Sequence, residues 1–270
     1  MRRKKLGVSY NLFNGEELLR DSILNIRECV DYINVVWQPY SWTHEKANPE
    51  MEIILESLKA EGLIDNVIKF DFDLKKKHDY KKLKCIKKNK GIADLRKARC
   101  THFMLMDADE FYVKEEFLKA KEFVFNNNIT HSVCSIYDYR ILPCYRMLEA
   151  RDYCVSFIFK LTPLSHVVAR GRINNMPCLI DPHRAVPLVP LIHKFYYLNM
   201  INMHHMTGVR KDYSNKMRNS LSNHLEGGKE AIEAYSELQR KMEMMTEQEI
   251  LDSGYVKVDD RFSIMKHWNN

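Results

Sequence analysis

The chain has 270 residues, of which 45% are hydrophobic, and it contains only 9 glycines and 8 prolines. This composition allows a full core within one large domain, and it excludes disorder, collagen-like repeats and coiled coils. The formal net charge is +6, with basic runs at 2–5, 75–77 and 81–90. The simplest explanation of any one basic run is a solvated helix face. The alternative is that the basic runs bind an anionic partner, either the phosphates of a nucleotide or an anionic membrane surface. No recognised nucleic-acid motif is present, so no nucleic-acid partner is expected.

The sequence contains no apolar run of the roughly 18 residues that a transmembrane helix needs. The basic start followed by a short apolar stretch indicates a strand rather than a signal peptide. Seven cysteines are scattered without a CxxC pair, which favours reduced thiols in a cytoplasmic protein. Because the chain is basic, peripheral contact with the inner face of the membrane is also expected.

Strands and helices are predicted to alternate from the start of the chain to residue 112. The predicted strands are 5–13, 32–38, 66–72 and 102–107, and the predicted helices are 14–29, 48–62 and 82–100. This order predicts an α/β fold with a mostly parallel wound sheet and helices on both faces. Ligands of such sheets bind outside the carboxyl ends of the strands.

The pattern after residue 112 is less regular and predicts a mixed α+β region. A helix is expected at 115–127, strands at 131–142 and 153–161, and strand character near the end of 192–206. From residue 209 the chain is expected to be helical at 209–225 and 228–245, and a capping-box pattern at 246–250 predicts a last short helix.

Three carboxylates follow directly on the apolar strand in "CTHFMLMDADEFY", at Asp107, Asp109 and Glu110. Unpaired carboxylates are costly to bury, so a positive partner is expected there. Residues i and i+2 of a strand point the same way, which lets Asp107 and Asp109 converge on one point. Carboxylate oxygens suit a hard cation such as Mn²⁺ or Mg²⁺, with phosphate oxygens completing its shell. An exposed acidic loop is the alternative.

This stretch and the preceding "KKNKGIADLRKA" resemble nucleotide-sugar glycosyltransferases of the GT-A fold, especially bacterial family 2-like members with a DxD motif. Lys88, Asn89 and Gly91 match the basic-Asn-x-Gly segment before the DxD strand, and "VSYNLFNGEELL" resembles the first strand–helix unit. The resemblance implies a Rossmann-like half in which Asp107 and Asp109 hold a diphosphate through Mn²⁺ or Mg²⁺. It implies a nucleotide-sugar-binding half at 1–112, an acceptor-side region at 113–207 and a helical region at 208–270.

The resemblance also implies a set of donor-binding residues. They are Tyr10, Asn11, Gln38, Asp71, Lys88, Asn89, Asp107, Ala108, Asp109, Arg210 and Lys211. Family 2 enzymes usually carry an acidic residue after the second strand, where this chain has Gln38 and Pro39. Asp71 or Asp73 is expected to contact the base instead, and uridine is the expected base.

A second informative stretch is "NMHHMTGVRKDYSNK" at 202–216. Its His205, Gly208 and Lys211 are similar to the H-x-x-G-x-x-K motif of retaining GT-A enzymes related to glycogenin. The resemblance implies His205 as the third metal ligand, with His204 as the alternative, while Arg210 and Lys211 neutralise the leaving diphosphate. Neutral imidazole is a suitable ligand for Mn²⁺. A pair of structural histidines is the other interpretation.

An inverting transfer requires a carboxylate that accepts the proton of the acceptor hydroxyl. Asp181, beside Pro182 after an apolar stretch, is the first candidate, followed by Glu149 and Asp152. A turn aspartate before proline is an equally simple explanation of Asp181. A retaining enzyme would need no such base.

The expected function is therefore metal-dependent transfer of a hexosyl or related sugar from a nucleoside diphosphate sugar, with UDP as the first choice. The expected acceptor is a glycan or lipid-linked intermediate of surface polysaccharide or lipopolysaccharide synthesis. One alternative is a nucleotidyltransferase or phosphohydrolase with the same metal site. Against a nucleotidyltransferase, the segment 10–19 has one glycine and no basic residue. A non-catalytic basic binding module is the other alternative.

Overall fold

The computed structural model describes residues 3–168, 179–181, 184, 186, 193–211, 213–219, 230, 233–234, 237, 240–241 and 243–268. The strands are β1 (Leu6–Leu12), β2 (Tyr32–Trp37), β3 (Asn66–Lys69), β4 (His102–Met106), β5 (Glu110–Phe111), β6 (His131–Arg140), β7 (Tyr145–Met147), β8 (Val155–Lys160), β9 (Phe195–Gly208) and β10 (Tyr255–Lys257). The α-helices are α1 (Glu16–Ile26), α2 (Met51–Ala60), α3 (Tyr80–Lys97), α4 (Lys114–Asn126), α5 (Tyr213–Asn219), α6 (Glu247–Asp252) and α7 (Met265–Trp268), and a 3-10 turn follows α1 at Arg27–Cys29. Within these ranges no helix combines the length and apolarity needed to cross a bilayer.

The strands form one sheet in the order β10-β7-β6-β8-β4-β1-β2-β3, with β9 beside β6 and β5 beside β9. Strand β1 runs parallel to β2 and β4, and β2 runs parallel to β3. Strand β8 is antiparallel to both β4 and β6. The predicted fold class, a mostly parallel wound sheet that continues into a mixed region, is confirmed.

Strand β4 shows why the middle of the sheet has an uninterrupted apolar sequence. Met104 and Met106 pack with α1 and α2 on one face, whereas Phe103 and Leu105 pack with α3 on the other. A parallel strand that is covered by helices on both faces needs apolar residues at every position. This burial carries the chain directly to Asp107 at the carboxyl edge of the sheet.

Helix α3 begins at the N-cap Asp79, whose side chain accepts a hydrogen bond from the Lys82 backbone N–H. The capping box that the sequence predicts at Thr246 is confirmed, since Thr246 and Glu249 cap each other's backbone.

Short strands β5, β7 and β10 were not predicted. The helix predicted at 209–225 is confirmed at Tyr213–Asn219, although it begins later than predicted, and residues 220–225 lie outside the described residues. Many residues of the helix predicted at 228–245 also lie outside them, and the division at 112 and 207 stays a prediction.

Helix α3 approaches β1 closely at Gly91. A Cβ at this position would lie 1.9 Å from Ser9 Oγ and 3.0 Å from Val36 Cγ2. Overpacking of this kind destabilises proteins by roughly 1–3 kcal/mol. We expect Gly91→Ala to lower the free energy of unfolding by about 2 kcal/mol in urea titrations followed by circular dichroism. In a Ser9→Ala background the loss should shrink, and equal losses in both backgrounds would contradict the packing explanation.

Two buried histidines predict a loss of stability in acid. Burial lowers the pKa of His102 to about 4 and that of His131 to about 3, so both stay neutral in the folded chain. The unfolded chain binds their protons near pH 6.5, so stability falls as the pH drops from about 6.5 towards 4, by roughly 1.4 kcal/mol per pH unit for each histidine. A His102→Gln/His131→Gln variant should show a flatter decline of urea midpoints over this window. An unchanged slope would contradict the assignment.

Candidate functional site

A cavity of about 850 Å³ opens at the carboxyl ends of β1, β2 and β4, and we call it the strand-end cavity. Cationic side chains outnumber acidic ones in its lining. The cations are Lys46, Lys84, Lys87, Lys88, Arg140, Arg151, Arg210, Lys211 and Lys216, and the acids are Glu16, Glu17, Asp107, Asp109 and Asp181. A cavity with this excess favours an anionic ligand.

Asp109 is a meeting point of side chains from the second half of the chain, and its own side chain is only 6% exposed. Its Oδ2 accepts hydrogen bonds from Arg210 Nη2 at 2.7 Å and Lys216 Nζ at 2.6 Å, and it lies 3.6 Å from His205 Nε2. Burial alone would raise the pKa of Asp109, but Lys216, Arg210 and His205 hold it well below its ordinary value. The carboxylate is therefore ionised and fully paired.

His205 is held in place by a carboxylate behind it. Its Nδ1 is 2.9 Å from Asp138 Oδ1, and Arg151 binds both oxygens of Asp138, from Nε at 2.6 Å and Nη2 at 2.8 Å. Burial would raise the pKa of Asp138, but His205 and Arg151 lower it to about 2. A carboxylate behind an imidazole fixes the ring and its tautomer, so Nε2 is directed towards Asp109.

Arg184 gathers the other carboxylates of the strand end. Its guanidinium is 4% exposed, bonds both oxygens of buried Glu110, and donates to Asp107 Oδ2 at 3.0 Å. Arg184 also donates to the Leu105 carbonyl at 3.0 Å, and its Nε lies 3.4 Å from Asp181 Oδ2. Glu110 thus serves the structure, whereas Asp107 remains 43% exposed at the cavity wall.

Two lysines from α3 form a cationic wall opposite these carboxylates. Lys87 and Lys88 are 4% and 2% exposed, and Lys87 Nζ donates to the Leu12 carbonyl at 2.8 Å. Burial lowers the pKa of Lys87 to about 7, and burial together with Lys84 lowers that of Lys88 to about 8. A bound phosphate would favour the charged form of both ammonium groups.

Buried polar atoms without a hydrogen-bond partner are concentrated around the cavity. In the part of the chain that the structure describes, those at the cavity are both amide atoms of Asn11, Oδ1 of Asn14, Oε2 of Glu16, Oε1 of Gln38 and Nε of Arg210. Such atoms are rare in folded proteins unless a ligand or water satisfies them. The amides at the ends of β1 and β2 are therefore well suited to hydrogen-bond a bound molecule.

The fold brings most of the residues predicted from the sequence together at the strand-end cavity. Those in its lining are Asn11, Gln38, Lys88, Asp107, Ala108, Asp109, Asp181, His205, Arg210 and Lys211. Because β1, β2 and β4 are parallel, their carboxyl ends share one edge, and β9 adds His205 through its antiparallel pairing with β5 at Glu110. These residues remain candidates for donor binding, metal binding or proton transfer.

Other predicted residues lie elsewhere. Tyr10 is fully buried in the core with its hydroxyl 2.9 Å from Ser22 Oγ, whereas its neighbour Asn11 lines the cavity. Asn89 bonds the Val167 backbone in both directions and ties α3 to the segment after β8.

His204, the alternative metal ligand, points away from the cavity and meets the Tyr139 hydroxyl at 2.7 Å. Asp71, Glu149 and Asp152 are exposed and absent from the cavity lining. We therefore withdraw Tyr10, Asn89, Asp71, Glu149, Asp152 and His204 as site candidates.

The sequence did not identify Asp138, Arg151, Arg184 and Lys216, although all four fix the site. No local motif marks Asp138, which meets His205 only when β6 pairs with β9, or Arg151, which lies between β7 and β8 and reaches Asp138 across 13 residues. Arg184 follows the candidate base Asp181 by three residues, and Lys216 lies on α5 just after the basic segment, so both were near residues already singled out.

Asp107, Asp109 and His205 are suitable ligands for a divalent cation by residue type, but they are not arranged around a common point. Asp107, Asp109 and His205 Nε2 offer oxygen and imidazole ligands at one wall. However, no group of three or more His, Cys, Asp and Glu residues within the described ranges is arranged to hold a metal ion. Arg210 and Lys216 already pair with Asp109, and Asp109 and Asp138 raise the pKa of His205 against the effect of burial. A cation would have to displace these partners and the imidazole proton.

No family model and no curated protein matches the sequence. Among solved structures the chain is similar to S. aureus TarS 1-349, at 12% identity and a TM-score of 0.41, over 79% of this chain and 63% of that one. It is also similar to S. aureus TarS 1-349 in complex with UDP, at 12% identity and a TM-score of 0.38, over 51% of this chain and 37% of that one. The similarity to TarS 1-349 in complex with UDP-GlcNAc has 12% identity and a TM-score of 0.36, over 51% of this chain and 36% of that one. The chain spans less than two thirds of the length of each of these structures.

The buried Arg184–Glu110 pair predicts a large asymmetry between two arginine substitutions. Arg184→Met leaves Glu110 buried without its guanidinium, which costs roughly 3–5 kcal/mol for a pair of this kind. Arg20→Met removes an exposed pair with Glu61, 52% and 39% exposed, and should change the free energy of unfolding by less than about 1 kcal/mol. Urea unfolding measures both, and similar losses would contradict the role given to Arg184.

Proposed function

We propose that this chain is a nucleotide-sugar glycosyltransferase of the GT-A type. It would transfer a sugar from a nucleoside diphosphate sugar, with UDP as the first choice, to a glycan or lipid-linked acceptor. The observation that carries the proposal is the content of the strand-end cavity. Two carboxylates at the end of a buried parallel strand face a cationic wall, and orphaned amides lie at the ends of the neighbouring strands.

The donor would occupy the cavity in two parts. Asn11 and Gln38 have unsatisfied buried amide atoms at the ends of β1 and β2, which suits them to the polar edges of a base or ribose. Lys87 and Lys88 would face the diphosphate. The charge that develops on a leaving diphosphate is stabilised by fixed cations in a cavity that excludes water.

We further propose that Asp107, Asp109 and His205 hold Mn²⁺ or Mg²⁺ when the donor is bound. Such an ion would oppose the negative charge of the diphosphate as a Lewis acid. Asp138 would keep His205 Nε2 directed towards this position, and Arg210 and Lys216 would be released from Asp109 to the phosphate oxygens. The ion pairs at Asp109 thereby supply cations at the place where the leaving group departs.

The proposals for the catalytic base and for the acceptor rest on the position of Asp181 and on the basic charge of the chain. Asp181 lines the cavity and is the remaining candidate for the catalytic base, with its Oδ2 3.4 Å from Arg184 Nε. The acceptor class remains as expected from the sequence, a surface polysaccharide or lipopolysaccharide intermediate. Basic residues of the 75–82 segment would support contact with an anionic membrane surface at the cytoplasmic face.

Release of nucleoside diphosphate tests the proposed function. We expect UDP release from one member of a sugar-nucleotide panel in the presence of Mn²⁺, with at least a hundredfold loss in Asp109→Asn. Asp71→Asn is the matched control, because Asp71 is an exposed carboxylate away from the cavity. No release from any donor would contradict the transferase, and turnover that survives excess EDTA would contradict the metal.

Metal affinity tests the ligand set separately from turnover. Mn²⁺ titrations followed by electron paramagnetic resonance in the presence of UDP should show a loss of at least tenfold in His205→Ala. Asp138→Asn should weaken Mn²⁺ by about 10–100-fold, because it removes the carboxylate that orients the imidazole. His204→Gln is the control, and an equal loss there would show that both histidines act only through the fold.

A further inference from the structure

The arginines of the strand-end cavity differ in their partners. Arg151 binds Asp138, and Arg210 binds Asp109 and Glu17. Arg140, the third arginine of the described lining, makes no ion pair with a described carboxylate. Its polar contact is to the Tyr213 hydroxyl, 3.3 Å from Nη1, and its guanidinium carbon lies 6.0 Å from the centre of the Tyr213 ring. Among the described residues, the Arg140 guanidinium therefore has no carboxylate as its counter-charge.

The backbone around Arg140 is shaped to accept it. Asp138 and Arg140 are two residues apart on β6 and so share a face, and they pair with His205 and Gly208 of β9. A Cβ at Gly208 would lie 2.7 Å from Arg140 Cγ and 3.0 Å from its Cα. The aliphatic part of the Arg140 side chain thus packs over Gly208 of β9, where the absence of a side chain leaves room for it. The guanidinium is placed beside Tyr213, beyond His205 along β6.

Its position separates Arg140 from the lysine wall that the proposed donor would face. The wall of Lys87 and Lys88 comes from α3 and the end of β1, and it adjoins Asp107. Arg140 comes from the opposite, mixed part of the sheet, where β6 and β9 pair. A second cationic point within the same cavity suits a second anionic group.

A planar guanidinium binds phosphate and carboxylate through two parallel hydrogen bonds, so it selects these groups by geometry as well as by charge. A guanidinium that faces a cavity and is not paired with a carboxylate keeps its donors available to a bound anion. We propose that the acceptor of this enzyme carries a phosphate or carboxylate close to the hydroxyl that receives the sugar, and that Arg140 binds this anion beside Tyr213. The identification of this ligand as the acceptor rests on the proposed glycosyl transfer, whereas the anion site itself does not.

The test uses the full chain saturated with UDP and Mn²⁺ and three probes that share one ring. Glucuronate carries a carboxylate, glucose 6-phosphate carries a phosphate, and glucose carries neither. Saturation-transfer NMR and calorimetry should show that at least one anionic probe binds at least tenfold more tightly than glucose. The preferred probe then identifies the anion as carboxylate or phosphate.

Substitutions locate the binding. Arg140→Met should weaken the preferred anionic probe at least tenfold and change the UDP affinity less than twofold. Arg140→Lys keeps the charge but loses the planar fork, and it should show an intermediate loss in the probe affinity. Arg99→Met is the matched control, since Arg99 is an exposed arginine just before β4, at the opposite edge of the sheet.

Three results would overturn the proposal. They are equal affinity for glucose and the anionic probes, anion binding that does not change in either Arg140 variant, and a fall in UDP affinity equal to the fall in probe affinity. The last would make Arg140 a donor-phosphate residue. A wild-type chain that fails to bind UDP would instead contradict the proposed function, so the two failures are distinguishable.

Discussion

The placement of carboxylates at the end of a buried strand is the constraint on which the site depends. Asp109 and Glu110 are 4% and 1% exposed directly after β4. Taking such groups out of water is tolerated only when cations and hydrogen bonds surround them. Glu110 obtains its partner from Arg184, and Asp109 obtains its partners from β9, α5 and the segment between them. The second half of the chain is thereby folded onto the carboxyl edge of the parallel sheet.

The same constraint bears on the proposed exchange of partners at Asp109. Arg210 and Lys216 neutralise Asp109 together with His205, and all three line the cavity. In the proposed donor complex, Asp107, Asp109 and His205 would hold the divalent cation, and Arg210 and Lys216 would turn to the phosphate oxygens of the diphosphate. Under this proposal the charges at the strand end would balance both with and without the donor.

How far the sequence predicts this site depends on the range of the contacts. The alternation of strands and helices before residue 112 fixes which chain segments end at one edge, so Asn11, Gln38 and Asp107 were found. Arg184 meets Glu110 across 74 residues and Lys216 meets Asp109 across 107, and no local pattern encodes such pairs.

Neighbouring residues on strands show a second limit of sequence analysis. His204 and His205 point to opposite faces of β9, and pairing with Phe111 and Glu110 decides which one meets the cavity. Tyr10 and Asn11 present the same ambiguity on β1, because both faces of that strand are buried. Periodicity identifies the strand, but only the register of its partner assigns the inward side chain.

The pairing of the cavity carboxylates also constrains the chemistry of the proposed sugar transfer. A carboxylate held by a guanidinium is a weaker proton acceptor than a free one, because the cation stabilises its ionised form. Asp181 has Arg184 Nε at 3.4 Å, and Asp107 and Asp109 have arginine or lysine partners at 3.0 Å or less. With Asp181 as the proposed base, an inverting reaction would require it to give up part of its contact with Arg184 as it accepts the proton. Retention of configuration requires no such exchange, and it leaves the Arg184 network that supports β4 intact.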